Sequence, residues 1–134
     1  MLDTNMASYI IKGQPPSARQ RLATLPMDSI LLSTVTQAEL LYGLERKGRP
    51  PALANLIREF LLRIKLLPWG PEAATAYGSL RASCMACGTP LGSDELMIAA
   101  HAISAQATLV THDKAFYLLP AGILRLEDWV EETP

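Results

Sequence analysis

The stretch at residues 92–113 constrains the fold more than any other part of the chain. It reads GSDELMIAAHAISAQATLVTHD. With about 100° per residue, the apolar positions of its first half share one broad arc, which predicts an amphipathic helix. A short β-type run at 108–110 follows, and Asp113 comes just after it. A helix that leads straight into a short strand is typical of an α/β fold, and this unit carries acids at both ends.

Two consecutive carboxylates open this helix. Ser93 is predicted to be its N-cap, and Asp94 lies in the first turn, where negative charge suits the helix dipole. Capping therefore explains Asp94 at least as well as catalysis does. Glu95 falls inside the apolar arc, whereas Asp94, His101 and Ser104 lie opposite it. We expect Glu95 to point into a polar pocket at the edge of the sheet; the alternative is that it frays into water.

Helices and short buried strands alternate along the rest of the chain. We predict helices over 6–12, 17–25, 36–47, 52–64 and 71–88, with strands at 1–2, 30–33, 65–67 and near 124–126. This alternation predicts a mainly parallel sheet covered by helices on both faces. The helices at 36–47 and 52–64 form a hairpin with a basic tip. A length of 134 residues, 49% of them hydrophobic, fits one globular domain spanning residues 1–134.

Asp3 stands directly after a strand stub, Met1 and Leu2, and is followed by Thr4 and Asn5. An acid at the carboxyl end of a strand lies where α/β folds place their chemistry. Capping of the next helix is the competing explanation for the same residue.

Glu39 lies inside the predicted helix at 36–47, and Gly43 follows one turn later on the same face. A glycine inside a helix costs about 1 kcal/mol relative to alanine, which suggests that something must approach the helix closely there. We expect the two residues to line a cleft; an ordinary exposed glutamate is the alternative.

Charge is distributed unevenly, although the net charge is only −1. Residues 1–65 carry nine Lys or Arg against five acids, and residues 66–134 carry three against eight. The basic half is suited to phosphates, while the acidic half holds most of the candidate site. The sequence contains no apolar run approaching the roughly 20 residues of a membrane span, so we expect a cytoplasmic protein. Cys84 and Cys87 lack further zinc ligands nearby and are interpreted as helix-packing residues.

If Asp3, Glu39, Asp113 and either Asp94 or Glu95 converge in the fold, they repel one another and cannot all stay ionised without compensation. A hard divalent cation such as Mg²⁺ or Mn²⁺ supplies that compensation through all-oxygen coordination. Such a metal activates a water and polarises a phosphoryl oxygen, which is the chemistry of phosphodiester hydrolysis. The alternative is that these acids are independent caps and surface charges.

Five motifs in order carry a resemblance across nearly the whole chain. They read MLDTN, TQAELLYG, GTPLGSDELMIAAHA, LVTHDKAF and LRLEDW. The chain resembles the PIN-domain family, specifically the VapC toxins of bacterial toxin-antitoxin pairs. The resemblance implies a three-layer α/β/α sandwich with a protruding helical hairpin and a Mg²⁺- or Mn²⁺-dependent endoribonuclease.

The resemblance also implies which residues form the catalytic and metal-binding site. Its acidic motifs fall here on Asp3, Glu39 and Asp113. The neighbouring polar positions that steady the ligands or the attacking water match Thr4, Asn5 and Thr111.

The third acid of the family precedes the isoleucine of IAAHA by three residues, which is Glu95. This is a departure, because the family usually has aspartate at that position. Asp94, one place earlier, is the substitute if the local register changes. The helix-face argument and the family spacing both favour Glu95, and either substitution weakens catalysis if the geometry shifts.

Partners are implied in the same way. The family forms homodimers and binds a VapB-like antitoxin, in assemblies that extend to higher hetero-oligomers. The C-terminal tail of the antitoxin covers the cleft, often with a basic side chain that reaches the carboxylates. The implied substrate is structured RNA, often a tRNA anticodon loop. The candidates for contacts to the RNA backbone are Arg46, Lys47, Arg49 and Arg58.

Two other functions compete with the endoribonuclease. A nuclease-silent protein would keep the fold and bind antitoxin or RNA without cleavage, because of the departure at Glu95. A phosphatase would use Asp3 as a covalent nucleophile, but the DxD arrangement of the common aspartate-nucleophile phosphatases is absent, since residue 5 is asparagine.

Overall fold

The structure, a computed structural model, describes residues 1–89 and 91–130. The acids at 131 and 132, which the sequence suggests form an acidic tail, lie outside the described residues. The described helices are α1 Thr4–Lys12, α2 Pro16–Ala23, α3 Thr34–Arg46, α4 Pro51–Arg63, α5 Pro71–Cys87 and α6 Ser93–Ser104. The strands are β1 Leu31–Ser33, β2 Lys65–Leu67, β3 Leu109–Val110 and β4 Leu126–Glu127, and two 3-10 turns cover Met27–Ser29 and Lys114–Leu118.

The strands run parallel and are joined across the middle by the first residues of the chain. β1 pairs with β2, and β3 pairs with β4. Leu2 forms a parallel bridge to Val110, and its N–H donates to the Leu31 carbonyl at 3.1 Å. The order across the sheet is therefore β2, β1, the Leu2 segment, β3 and β4, which confirms the predicted parallel arrangement and the strand stub at the start.

Helices cover both faces of this sheet, and successive strand residues serve opposite faces. Leu2, Leu32 and Val110 pack with α1, α3 and α4 into one hydrophobic core. Their chain neighbours Met1 and Leu109 pack into a second core with α5 and α6. The two cores make three layers, helix, sheet and helix, as the α/β/α prediction requires.

Local side chains explain where the helices begin and end. Ser33 accepts the Val35 N–H at 3.1 Å, so α3 begins at Thr34 rather than at Thr36 as predicted. Gly88 ends α5 in the left-handed region with φ of 69°, and α5 therefore begins and ends close to its predicted limits. The N-cap of α6 is Gly92, so the prediction that Ser93 fills this position is wrong.

Burial corrects one other expectation, that both cysteines pack inside. Cys84 is buried and packs in the second core, but Cys87 is exposed on the last turn of α5, so only the first of the pair packs inside. The hairpin of α3 and α4 leaves Tyr42 and Leu62 largely exposed. Throughout residues 1–89 and 91–130, no helix combines the length and the apolar character needed to cross a membrane.

Candidate active site

One open pocket of about 380 Å³ collects every candidate acid. It lies where Leu2 and β3 end, at the carboxyl edge of the parallel strands, and beside the first turn of α6. Its lining includes Asp3, Thr4, Asn5, Glu39, Asp94, Glu95 and Asp113. The described lining contains no Lys or Arg. Acids from four separate parts of the sequence therefore face one another without a basic side chain between them.

Asp3 is the most deeply placed of these acids, with only 5% of its surface exposed. It is the N-cap of α1, and its Oδ1 accepts the Met6 N–H at 2.8 Å. Burial raises the pKa of Asp3 above its ordinary value of 3.8, while hydrogen bonds from Thr111 and Met6 oppose the rise. The carboxylates of Asp113 and Glu95 add repulsion that raises it further. Both sequence interpretations of Asp3 thus apply, because it caps a helix and lines the pocket.

Glu39 reaches the same pocket from the middle of α3. The Thr4 hydroxyl donates to Glu39 Oε1 at 2.9 Å, which ties α3 to the start of α1. Burial raises the pKa of Glu39, the Thr4 hydrogen bond opposes this, and the charges of Asp94, Asp3 and Glu95 raise it further. Glu39 is therefore not a freely solvated helix glutamate.

The two acids of α6 occupy different positions on the pocket. Glu95 is half-buried, and its Oε2 accepts the Gly92 N–H at 3.2 Å. Its charge raises the pKa values of both Asp3 and Glu39. Asp94 is exposed and raises the pKa only of Glu39. Glu95 thus acts on both Asp3 and Glu39, whereas the exposed Asp94 acts on Glu39 alone, although more strongly than Glu95 does.

Asp113 also lines the pocket, and the buried Thr111 supports it without lining the pocket itself. Asp113 is the N-cap of the 3-10 turn Lys114–Leu118, and its Oδ1 accepts the Ala115 N–H at 2.9 Å. The Thr111 hydroxyl oxygen accepts the Asp113 N–H at 3.0 Å, and Thr111 is fully buried. The same hydroxyl bonds the Asp3 carboxylate. One threonine therefore fixes the backbone of one acid and the side chain of another.

A hydrogen bond missed by the sequence reasoning supports the Asp113 loop from outside. His112 Nδ1 lies 2.7 Å from Asp128 Oδ2, and Asp128 Oδ1 accepts the Val130 N–H at 2.9 Å. Lys114 Nζ lies 3.8 Å from the same Asp128 carboxylate. The LEDW motif contains this acid, but nothing in the sequence alone pairs it with residue 112.

His101 was expected on the polar side of α6, and this expectation is wrong. The ring is buried with 4% exposure, and its Nδ1 lies 2.7 Å from Ser33 Oγ. Burial lowers the pKa of His101, so the neutral ring can accept a hydrogen bond from the Ser33 hydroxyl. α6 packs against both α5 and α3, which leaves almost no solvent-facing side on its central turns.

The donor chemistry of the pocket fits a hard divalent cation. Carboxylate and hydroxyl oxygens predominate among its polar atoms, and such cations prefer oxygen ligands. Burial is the main cause of the raised pKa values of Asp3 and Glu39, and the like charge of the other acids, which a cation would offset, adds to it. In the part of the chain that the structure describes, no three His, Cys, Asp or Glu side chains are already arranged as a metal-binding group. Small side-chain movements are thus needed for several carboxylates to bind one ion together.

Comparison with known proteins defines the class. A family model described as PIN domain matches residues 1–121, and the chain therefore belongs to the PIN-domain family. The tRNA(fMet)-specific endonuclease VapC of Shigella flexneri is 38% identical over 129 residues, covering 96% of each chain. Ribonuclease VapC2 of Haemophilus influenzae strain Rd is 34% identical over 131 residues, covering 97% of each. These full-length matches assign the chain to the VapC group of that family.

Solved structures agree with this assignment. VapBC2 from Rickettsia felis, bound to a promoter DNA fragment, superposes with a TM-score of 0.88 at 33% identity and covers 96% of this chain and 97% of that chain. DNA-bound VapBC from Salmonella typhimurium superposes with a TM-score of 0.87 at 34% identity, with 96% of each chain covered. The three-layer fold and the family resemblance seen in the sequence are confirmed.

Proposed function

We propose that this chain is a VapC-type toxin, a divalent-metal-dependent endoribonuclease that hydrolyses phosphodiester bonds in RNA and is neutralised by a cognate antitoxin. Residues 1–134 act as a single PIN domain in the cytoplasm, where its substrate is. One observation carries the proposal: Asp3, Glu39, Glu95 and Asp113 come from separate elements and line a single open pocket. The full-length similarity to proteins named as ribonucleases supports the reaction class.

The ion is Mg²⁺ or Mn²⁺, held by Asp3, Glu95 and Asp113, with Glu39 or Asp94 completing the acidic set. When bound, it supplies an activated water and stabilises charge on the phosphoryl oxygens. The polar neighbours orient this set. Thr111 holds Asp3, Thr4 holds Glu39, and Asn5 is exposed at the pocket mouth within reach of substrate.

The partners follow from the same assignment. The chain forms a homodimer, binds a VapB-like antitoxin that covers the acidic pocket, and joins it in a larger hetero-oligomer. Because one relative is named for cleavage of tRNA(fMet), initiator tRNA is the first substrate to test, and the anticodon loop is the expected cleavage site.

The direct test is cleavage of RNA by purified protein free of antitoxin. Total cellular RNA, initiator tRNA and an elongator tRNA are each incubated with Mg²⁺, with Mn²⁺ and with EDTA. Asp3→Asn removes the central charge, and Asp28→Asn is the matched control, because Asp28 lies in the 3-10 turn Met27–Ser29 outside the pocket lining. We expect discrete, metal-dependent fragments from the unchanged protein and the control, and none from Asp3→Asn. Cleavage that survives both EDTA and Asp3→Asn would refute the proposal.

One contact favours a second candidate function, binding without cleavage. Glu95 Oε2 is engaged by the Gly92 N–H, so this carboxylate serves its own helix as well as the pocket. If that bond holds Glu95 away from the geometry that the metal requires, the protein binds antitoxin or RNA but does not cut. In that case a folded, metal-binding protein gives no fragments, and Glu95→Asp, which restores the usual family acid, turns cleavage on.

A further inference from the structure

A second groove continues from the acidic pocket along α3. It encloses about 140 Å³ between α1, α3 and α4, and it shares Thr4, Asn5 and Glu39 with the pocket. Beyond these shared residues, its lining includes Gly43 and the basic residues Lys12, Arg46 and Lys47. We call this second cavity the Gly43 groove. A ligand that fills the acidic pocket can extend past Glu39 into this groove.

Gly43 has no role within the chain that explains a glycine. It lies inside α3, where glycine destabilises a helix relative to alanine. A Cβ added at this position meets nothing within 4 Å, so no neighbouring segment of the structure requires the missing side chain. Because Gly43 lines the groove and has no side chain, the α3 backbone is accessible there and forms part of the floor of the groove.

The charges along the groove indicate an anionic occupant. Lys12, Arg46 and Lys47 are exposed, and within the described residues none of the three has an acidic partner at ion-pair distance. Arg49, by contrast, is engaged by Glu45 at 3.2 Å and does not line the groove. The pocket and the groove together thus have acids at one end and cations at the other. This arrangement suits a phosphate-bearing strand whose reacting phosphate lies at the acids and whose neighbouring phosphates contact the cations.

We propose that the Gly43 groove holds the single-stranded RNA segment next to the cleaved phosphate, with Gly43 allowing the strand to lie against the α3 backbone and Lys12, Arg46 and Lys47 contacting its phosphates. The proposal rests on the proposed function for the position of the cleaved phosphate. Gly43 is a positioning residue, and the three cations supply affinity rather than sequence choice.

Gly78 provides a matched control for substitutions at Gly43. It also lies inside a helix, α5, is exposed, and has open space around an added Cβ, but it belongs to the layer on the other side of the sheet. Gly43→Gln and Gly78→Gln introduce the same side chain inside a helix, at a half-buried and an exposed position respectively. Both substitutions should stabilise their helices by a similar amount, but only Gly43→Gln places a side chain in the groove.

The experiment measures binding separately from cleavage. Each substitution is placed in the Asp3→Asn protein, and binding of a fluorescent single-stranded RNA is followed by anisotropy in EDTA. We expect Gly43→Gln to weaken binding by roughly tenfold or more and Gly78→Gln to leave it unchanged. The double substitution Arg46→Gln and Lys47→Gln removes two phosphate contacts. Each contact contributes about 0.7 to the slope of the logarithm of the RNA-binding constant against the logarithm of salt concentration, so the slope should fall by about 1.4.

Cleavage assays in the metal-loaded, otherwise unchanged protein give a second readout. Gly43→Gln should raise KM for a long RNA and leave kcat nearly constant, with no effect on a dinucleotide too short to reach the groove. Equal effects of Gly43→Gln and Gly78→Gln, or weakened antitoxin binding with RNA binding intact, would overturn the proposal. If no RNA is cut but Gly43→Gln still weakens RNA binding, the result would support the RNA-binding groove and refute the proposed RNA cleavage.

Discussion

Replacing Asp3 with asparagine separates the charge of this side chain from its structural role. Asp3 Oδ1 accepts the Met6 N–H at 2.8 Å, and asparagine can keep this bond because Asn and Asp cap helices about equally well. The substitution removes the charge. Because burial, with Asp113 and Glu95 nearby, raises the pKa of Asp3, its ionised form destabilises the metal-free fold at neutral pH. We expect Asp3→Asn in EDTA to raise the free energy of unfolding at neutral pH.

The pH dependence of this gain has a definite sign. A carboxyl whose pKa is higher in the folded state than its ordinary 3.8 binds its proton more tightly in that state. Its contribution to stability is fully present below 3.8 and is lost as pH rises through the raised value. The advantage of Asp3→Asn should therefore be complete only above the raised pKa of Asp3 and should vanish in acid below 3.8. Asp3→Ala removes the cap as well, so it should be less stable than Asp3→Asn by about 1 kcal/mol.

Divalent metal should make the unchanged protein more stable than Asp3→Asn, which is the reverse of the order expected in EDTA. At about 100 times its Kd, Mg²⁺ or Mn²⁺ stabilises the unchanged protein by about 2.7 kcal/mol, which is roughly 10 °C in Tm for 134 residues. Asp3→Asn should gain far less. Thermal and denaturant unfolding followed by circular dichroism, with metal or EDTA, measure both effects, with Asp28→Asn as control. A lower stability of Asp3→Asn in EDTA, or equal stabilisation of both proteins by metal, would refute the reasoning.

Other substitutions test the rest of the site. Glu95→Gln should abolish metal-dependent RNA cleavage on gels while Asp94→Asn largely spares it, because only the first charge acts on two of the other acids; the opposite pattern would reassign the third acid. Thr111→Val should lower the free energy of unfolding by about 1 kcal/mol in denaturant titrations, since it removes the buried hydroxyl that accepts the half-buried Asp113 N–H; no change would mean that the hydroxyl bonds are unimportant. Asp128→Ala should cost a similar amount through the lost His112 and Val130 contacts and should slow cleavage, whereas full activity would show that the Asp113 loop needs no support.

The convergence of the acids could be predicted because parallel strands impose it. Asp3 follows the Leu2 segment and Asp113 follows β3, and the carboxyl ends of neighbouring parallel strands meet at one edge of the sheet. Glu39 could be selected as a candidate site residue because Gly43, one turn away, destabilises the helix relative to alanine and no neighbouring atom requires a glycine there. Asp3, Asp113 and Glu39 can therefore each be selected from the few residues around them, without knowledge of the three-dimensional structure.

The supporting contacts could not be predicted, because they depend on which distant elements become neighbours. His101 lies opposite an apolar arc in sequence, yet the packing of α6 between α5 and α3 buries it and Ser33 supplies its partner. Asp128 is paired with a residue sixteen positions earlier only because β4 lies beside β3. Periodicity describes one helix at a time and carries no information about such pairings.

The glutamate at position 95 has a local cause that the family comparison alone does not reveal. Gly92 is the N-cap of α6 and has no side chain with which to accept the first free N–H groups of the helix. Glu95 occupies the third helical position, from which a glutamate reaches back to the N-cap N–H, and it makes this bond at 3.2 Å. An aspartate is one methylene shorter and is less suited to this return bond. The same carboxylate therefore both stabilises the helix and lines the pocket, as the carboxylates of Asp3 and Asp113 also do at the N-termini of their own helical segments.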